Sequence, residues 1–148
     1  MAIATRIAET TWEGPLASGT GQIRLDTGAA GPLPVTWASR TEKPDGTTSP
    51  EKLAAAAHSS CYAMALSLRL GERKAPPERL TIAATVTLDE VDGVPTIVSS
   101  QLRVKAKVPG LDEAGFQAAV GEASELCPVS RLFAGAKITV EAALEPAA

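Results

Sequence analysis

The sequence predicts an α+β domain, residues 1–148, in which antiparallel strands and two helices occupy separate parts of the chain. Three observations support this class. Segments of alternating apolar and polar residues occur near both ends and in the middle of the 148-residue chain. Two other segments carry residues that typically start and stop helices, and no internal repeat or long linker interrupts the sequence. The predicted order is β-β-β-α-β-β-α-β, as in domains whose helices cover an antiparallel sheet.

The first fifty residues predict short strands joined by turns. From Ile3 to Leu25, apolar and polar residues alternate around three glycines, which predicts a two-stranded hairpin. Residues 28–49 are rich in glycine and proline, so only residues 35–41 leave room for a third strand.

A long helix is predicted from Pro50 to Leu70. Ser49 offers an N-cap hydroxyl, Pro50 suits the first helical position, and Glu51 places a carboxylate at the positive end of the helix. Gly71 is a typical residue for the helix end. Because the helix carries almost no charge for most of its length, other parts of the protein must cover most of its sides. We interpret it as a core helix shared with a second subunit and not as a membrane span.

The segment after this helix predicts a long hairpin. Alternating β-branched residues predict strands over residues 80–88 and 97–108. Asp92-Gly93 lies between them and is a typical turn sequence for two antiparallel strands.

The last third of the chain predicts a helix, a turn and a closing strand. Asp112 is a suitable N-cap for a helix that runs to Leu126. The segment from Pro128 to Phe133 predicts a short turn, and the alternation from Ile138 to Leu144 predicts the final strand.

The overall composition is that of an ordinary globular protein. Hydrophobic residues account for 45% and charged residues for 21%, which argues against disorder and against a membrane protein. The net charge is −3, basic residues are scattered and aromatic residues make up only 3%, so we predict no nucleic-acid partner. The first residues lack the charged start and apolar run of a signal peptide, so we expect a cytoplasmic protein.

Two cysteines are the main candidates for chemistry, Cys61 in the long helix and Cys127 at the end of the next one. In a reducing compartment, such a pair is more often catalytic or redox-sensing than permanently bonded. Burial raises the pKa of a thiol, so Cys61 by itself has the character of a packed apolar residue. Cys127 directly precedes Pro128, and its sulfur can face free backbone N–H groups that favour the thiolate.

Other candidate residues leave alternatives open. His58 lies three residues before Cys61, as in a cysteine–histidine hydrolase, but no local motif supplies an Asn or Asp to orient it. A structural histidine that is hydrogen-bonded within the packing is the simpler interpretation. Two cysteines and one histidine at these spacings match no usual zinc pattern. Arg40 and Glu51 are either exposed charges or an ion pair that holds a guanidinium over a thiolate.

Several short motifs together resemble the OsmC/Ohr family over nearly the whole chain. They lie near the N-terminus, along the long helix, and on both sides of the predicted helix after Asp112. The matching residues are Trp12-Glu13-Gly14, Gly19-Thr20-Gly21, Arg40, Ser49-Pro50-Glu51-Lys52-Leu53, Ala56-Ala57-His58 with Cys61, Val108-Pro109-Gly110-Leu111-Asp112, and Cys127-Pro128-Val129-Ser130. The order and spacing look most similar to the OsmC branch, the osmotically inducible proteins.

The resemblance implies a thiol-dependent peroxidase with an OsmC-like fold, in which antiparallel sheets wrap around two central helices of an intertwined homodimer. By the same resemblance, Cys61 is the peroxidatic cysteine and Cys127 the resolving one, while Arg40 and Glu51 form the pair that activates the thiolate. The implied partners are an organic hydroperoxide or hydrogen peroxide and an external dithiol, with no bound cofactor. The alternative is a non-catalytic dimer that senses oxidation or binds a small molecule.

Overall fold

The computed structural model describes residues 1–135 and 137–146, and these residues form two compact units. The first unit comprises Met1–Leu53, and the second begins at Ala54. Each unit contains one three-stranded sheet. Together with the helices described below, these sheets confirm the predicted α+β class. A single domain over residues 1–148 stays a prediction.

The first unit is built on an antiparallel sheet in the order β1-β2-β3. Its strands are β1 (Ala8–Glu13), β2 (Thr20–Leu25) and β3 (Leu33–Val35). The predicted hairpin between the first two strands is therefore confirmed. Gly21 on β2 is needed for close packing, because a Cβ there would lie 2.7 Å from Cγ1 of Val35 and 2.9 Å from the Trp12 ring.

The third strand is shorter than predicted. We expected a strand over residues 35–41, but Trp37–Thr41 forms a short helix, α1. The cause is a local capping box at Thr36, whose backbone is extended. The Thr36 side chain accepts a hydrogen bond from the Ser39 N–H at 3.0 Å, and the Ser39 hydroxyl accepts one from the Thr36 N–H at 3.0 Å. These two bonds satisfy helix-end donors and start α1 where alternation alone predicts a strand.

The long helix α2 spans Pro50–Glu72 and begins where the sequence predicts. The Ser49 hydroxyl accepts a hydrogen bond from the Lys52 N–H at 3.1 Å, so Ser49 is the N-cap. The helix continues past Gly71, and the left-handed residue that ends the turn is Lys74, with φ of 58°. Within the described residues, no helix combines the length and apolar character needed to cross a bilayer.

The second unit contains the predicted long hairpin. Strands β4 (Arg79–Val91) and β5 (Val94–Lys107) pair antiparallel. Asp92 and Gly93 form the two-residue turn with φ of 51° and 79°, as required by a turn that matches the twist of the strands.

The last three elements are two helices and a strand. Helix α3 (Glu113–Leu126) is capped by Asp112, whose carboxylate accepts a hydrogen bond from the Gly115 N–H at 2.8 Å. The segment predicted as a turn from Pro128 to Phe133 is instead a short helix, α4 (Pro128–Leu132), because proline suits the first helical position.

The closing strand β6 (Lys137–Leu144) is confirmed, but its pairing differs from the predicted antiparallel sheet. It pairs with β5 in parallel. The reason is topological, since α3 and α4 lie between the two strands and return the chain to the same end of the sheet. Antiparallel pairing describes only the β4–β5 part of this sheet.

The core of the second unit lies between this sheet and the helices α2 and α3. Its largest fully buried apolar side chains come from all three layers. They are Tyr62, Leu66, Leu70, Leu102 and Phe116. The Tyr62 hydroxyl donates to the backbone carbonyl of Val120 at 2.8 Å, so its polar atom is satisfied in the core. Cys127 belongs to the same cluster, which fixes its position at the end of α3.

Candidate active site

The two cysteines lie together in the second unit. Cys61 is on α2 and is half-buried, whereas Cys127 is fully buried at the junction of α3 and α4. Both are free thiols. Their sulfurs are close enough that the protonation of one changes the pKa of the other. The packing of α2 against α3 therefore brings together two residues that are 66 positions apart in sequence.

The surroundings of Cys127 favour its thiolate. Burial raises the pKa of this thiol, but hydrogen bonding from the Ser130 hydroxyl, the Ser130 backbone N–H, Cys61 and the Val129 backbone N–H outweighs burial. The net effect is a pKa below the usual value. The side chain of Cys127 makes no capping hydrogen bond to α4 when it is a thiol. These donors therefore act mainly on the Cys127 thiolate. This supports the expectation that a sulfur before Pro128 faces backbone N–H groups.

Cys61 shows the opposite shift. Burial raises the pKa of Cys61, the Val129 backbone N–H lowers it, and Cys127 raises it through hydrogen bonding and negative charge. The net effect is a raised pKa. The surroundings thus favour the thiolate at Cys127 and disfavour it at Cys61. Attack by Cys61 therefore requires an additional positive charge near its sulfur.

An apolar cleft of about 340 Å³ lies over Cys61 within the second unit. Apolar side chains form its walls. Its lining includes Met64, Ala65, Leu68, Leu126 and Pro128. Met64 and Leu68 are 68% and 51% exposed, so the cleft opens on a surface of α2 that is unusually apolar for a solvated helix face. Its chemistry suits an alkyl or aryl group next to the thiol.

His58 is hydrogen-bonded within the packing and is not a free base. Its Nδ1 is 2.6 Å from the Ser100 hydroxyl oxygen and its Nε2 is 2.8 Å from that of Ser130. The edge of its ring packs against Phe133, with the ring centroids 5.3 Å apart. Burial lowers the pKa of His58, so the imidazole is neutral near neutral pH. Because both ring nitrogens are engaged, the arrangement argues against a cysteine–histidine hydrolase with His58 as its base.

Arg40 and Glu51 meet within the first unit, as their ion-pair interpretation requires. Nε and Nη2 of Arg40 lie 2.9 Å and 2.8 Å from the same carboxylate oxygen, Oε1 of Glu51. The guanidinium also lies over the Trp37 ring, 5.9 Å from its centroid. The exposed fractions of the two charged side chains are 31% and 11%, so both are largely shielded from water. The carboxylate of Glu51 and the ring of Trp37 together hold the guanidinium in a defined orientation.

The arginine borders an apolar cleft of about 380 Å³ in the first unit. Two tryptophans, Trp12 and Trp37, line this cleft together with Ile23 and Val35. Arg40 is the charged residue of the lining, and its remaining N–H groups are available to an anion or a polar oxygen. The sequence motifs pointed to Arg40 but not to Trp37, whose position follows from the capping box that starts α1.

Two of the four predicted site residues lie in each unit. The structure brings Cys61 next to Cys127 and Arg40 next to Glu51. The approach of the ion pair to the thiols stays a prediction. Sequence reasoning missed Ser100, which is fully buried on β5 and contacts His58 from 42 positions away. Within residues 1–135 and 137–146, no group of three His, Cys, Asp or Glu side chains has the arrangement of a metal site.

The model of the family described as OsmC-like protein matches residues 43–142, which include both cysteines. The chain belongs to the OsmC family. Its curated relatives include peroxiredoxin OsmC of Escherichia coli, which is 37% identical over 130 residues, covering 88% of this chain and 90% of that protein. The family assignment predicted from the motifs is therefore confirmed.

Two further relatives carry the name organic hydroperoxide resistance protein. One, from Xanthomonas axonopodis pv. citri, is 32% identical over 89 residues, covering 60% of this chain and 61% of the relative. The other is the crystal structure of OhrB of Bacillus subtilis, which is 29% identical, covers 97% of this chain and all of that chain, and has a TM-score of 0.70. Family and fold thus agree with the OsmC-like architecture predicted from the sequence.

Proposed function

We propose that this protein is a thiol-dependent peroxidase that reduces organic hydroperoxides through Cys61 and Cys127. The observation that carries the proposal is the adjacent pair of free thiols beneath an apolar cleft. Membership of the OsmC family, with relatives named as a peroxiredoxin and as organic hydroperoxide resistance proteins, supports the same chemistry.

Cys61 is the attacking residue because it is the accessible one. It lines the cleft, whereas Cys127 is fully buried. The Cys61 thiolate attacks one peroxide oxygen, the O–O bond breaks, and an alkoxide leaves as Cys61 becomes a sulfenic acid. The alkoxide takes up a proton to give the alcohol. An apolar alkyl group gains from burial against Met64 and Leu68, so organic hydroperoxides are favoured over hydrogen peroxide.

Arg40 supplies the charge that Cys61 lacks. A guanidinium next to the Cys61 sulfur lowers the pKa of that thiol and so favours the Cys61 thiolate. It also stabilises the negative charge that develops on the leaving oxygen. Glu51 holds the guanidinium in orientation through the shared Oε1 contacts, at the cost of offsetting part of its charge.

Cys127 then completes the oxidation. Its thiolate attacks the sulfur of the Cys61 sulfenic acid, hydroxide leaves and takes up a proton to form water, and a Cys61–Cys127 disulfide results. An external dithiol reduces this disulfide by exchange. No step requires a bound cofactor, because the electrons come from thiols.

The peroxidase is proposed to act as a homodimer. The exposed apolar side chains of α2, together with the scarcity of charge along this helix, support a second subunit packed against it. The resemblance to the OsmC family supports central helices that are shared between two subunits. Light scattering of the purified protein tests the dimer directly, and a monomer at micromolar concentration would contradict it.

The direct test is peroxide consumption with dithiothreitol as reductant. The wild type should turn over an organic hydroperoxide many times, and Cys61→Ser should be inactive. Without dithiothreitol, which would itself reduce an accessible sulfenic acid, Cys127→Ser should consume one equivalent per subunit and accumulate a sulfenic acid that a dicarbonyl reagent traps. Ser60→Ala is the matched control, because it changes the neighbouring helix residue, whose hydroxyl donates to the α2 carbonyls of Ala56 and Ala57.

The same measurement separates an enzyme from a redox sensor. A sensor forms the Cys61–Cys127 disulfide once and is reduced slowly, so it would consume about one equivalent of peroxide even with excess dithiol. Full turnover by Cys61→Ser, or a single turnover by the wild type, would contradict the proposed function.

A further inference from the structure

A buried chain of hydrogen-bonding groups runs from Ser100 through His58 to Ser130, a residue of the helix that Cys127 precedes. His58 and Ser100 are fully buried and Ser130 is 6% exposed, so water has little access to their polar atoms. Nδ1 of His58 contacts Ser100 on β5, and Nε2 contacts Ser130 on α4. Tyr62 and Leu66 hold the inner face of α2 by apolar packing, and the two hydrogen bonds of His58 add polar contacts to it. A polar group with two partners in this position therefore invites a functional explanation.

Ser130 lies at a position from which its hydroxyl can donate a hydrogen bond to a thiolate at Cys127. Cys127 is the N-cap of α4 and Ser130 is the third residue of that helix. Side chains at these two positions face each other across the first helical turn. The hydrogen bond from the Arg131 N–H to the Cys127 carbonyl, 3.1 Å long, closes this turn. The Ser130 hydroxyl also lowers the pKa of Cys127, as described above.

The count of hydrogens links the two contacts of Ser130. A neutral imidazole has one N–H donor and one acceptor nitrogen. If Nε2 of His58 donates to the Ser130 oxygen, the hydroxyl proton of Ser130 is free to face Cys127, and Nδ1 accepts from Ser100. If Ser130 instead donates to Nε2, it has no proton left for the sulfur. Only the first arrangement stabilises a thiolate at Cys127.

We propose that His58 is a positioning residue for the resolving step, because its Nε2–H fixes the Ser130 hydroxyl with the proton directed at the Cys127 sulfur. Ser100 selects this tautomer by donating to Nδ1. The inference rests on the proposed function, in which Cys127 attacks the Cys61 sulfenic acid. In that step the sulfur–sulfur bond forms, the bond from sulfur to the hydroxyl oxygen breaks, and the hydroxide becomes water with one proton.

The first test titrates Cys127 alone. Cys61→Ser leaves Cys127 as the only thiol, and ultraviolet absorbance of the thiolate then reports its ionisation. Ser130→Ala should raise the pKa of Cys127 by about one unit, equivalent to about 1.4 kcal/mol. His58→Phe should shift it in the same direction, and His58→Gln, which keeps an N–H donor, should shift it less. Titration of Tyr62, the other ionisable group coupled to Cys127, is followed in the same spectra.

A double-mutant cycle tests whether His58 acts through Ser130. The pKa shift of the His58→Phe, Ser130→Ala double variant should equal that of Ser130→Ala alone, because the histidine has nothing left to position. Additive shifts would overturn the inference. Ser124→Ala is the matched control, since it deletes a half-buried hydroxyl of α3 that bonds the Val120 carbonyl at 3.3 Å, and it should leave the pKa of Cys127 unchanged.

The second test uses both cysteines and a single addition of organic hydroperoxide. Ser130→Ala and His58→Phe should slow disulfide formation about tenfold at neutral pH, as expected for about one pKa unit. The initial consumption of peroxide should not slow, because less negative charge at Cys127 favours the thiolate of Cys61. At alkaline pH, where Cys127 ionises without help, the rates of disulfide formation should converge with the wild type. A structural defect alone would not produce this pH profile.

The outcomes separate this inference from the proposed function. If the wild type consumes no peroxide, the proposed function fails, but the titration of Cys127 still decides the role of His58. If folded Ser130→Ala and His58→Phe leave the pKa of Cys127 unchanged, the inference is wrong whether or not the protein is a peroxidase. If His58→Phe does not fold, Ser100→Ala takes its place, because losing the donor to Nδ1 should also raise that pKa.

Discussion

Acidification below about pH 6.5 should destabilise the folded protein through His58. This is the only histidine of the chain, its ordinary pKa is 6.5, and burial lowers that pKa in the folded state. As the pH falls, the unfolded chain binds a proton that the folded chain does not. The free energy of unfolding therefore decreases with falling pH, and the stability present above pH 6.5 is lost towards the lowered pKa of the folded state.

The magnitude follows from one proton. Between about pH 7.5 and pH 5.5, a histidine that stays neutral in the folded protein lowers the free energy of unfolding by about 1.4 kcal/mol. For a chain of this size, that corresponds to a decrease in Tm of about 3 to 6 °C. The difference between the wild type and a variant without the histidine separates the contribution of His58 from that of other titrating groups.

Urea denaturation with excess reductant and constant protein concentration, followed by circular dichroism at the two pH values, measures this difference. His58→Gln should have a lower free energy of unfolding at neutral pH than the wild type. That free energy should no longer show the decrease that His58 causes between the two pH values. Tyr62→Phe is the matched control, because it removes a buried 2.8 Å hydrogen bond at a cost of about 1 kcal/mol and leaves His58 in place. The reasoning is refuted if the wild-type stability is equal at both pH values, or if His58→Gln keeps the full decrease.

Three further changes test other parts of the structure. Arg40→Lys keeps the charge but loses the two contacts to Glu51 Oε1, so kcat/KM for an organic hydroperoxide should fall about tenfold. Unchanged steady-state rates would show that the arginine has no part in the mechanism. Gly93→Ala places a Cβ at φ of 79° and should cost about 1 kcal/mol in urea denaturation; an equal midpoint would contradict the turn geometry. Met64→Glu introduces a charge into the cleft over Cys61. It should raise KM for an alkyl hydroperoxide about tenfold and have little effect on KM for hydrogen peroxide. Equal effects on both substrates would argue against the cleft as the alkyl site.

Local rules of sequence predicted the start of α2 and the β4–β5 hairpin well. Ser49 and the Asp92-Gly93 turn act through neighbours within three residues, so their effect can be read from the chain itself. The end of α2 was less predictable, because Gly71 remains helical and Lys74 takes the left-handed position. The N–H of Ala75 donates to the Leu70 carbonyl at 3.0 Å and closes the helix beyond the glycine.

Long-range contacts of the site were beyond local rules. Ser130 lies one helical turn after Cys127, a local relation within a segment that the sequence predicted as a turn and not as a helix. Its contact with His58 spans 72 positions and depends on how α4 packs against α2. The parallel pairing of β6 has the same origin, since alternation predicts a strand but not the direction of its neighbour. Both cysteines, and the direction of their pKa shifts, could be inferred from the sequence, whereas their proximity required the structure.

The difference in burial between the two cysteines also bears on how the oxidised protein is regenerated. An incoming dithiol can approach only the half-buried sulfur, so the mixed disulfide should form on Cys61 and Cys127 should depart as the leaving group. Thiol–disulfide exchange is faster when the departing thiol has a low pKa. The hydrogen-bond donors that surround Cys127 thus also act in the reductive half of the cycle, because they favour release of Cys127 as the thiolate when the disulfide is reduced.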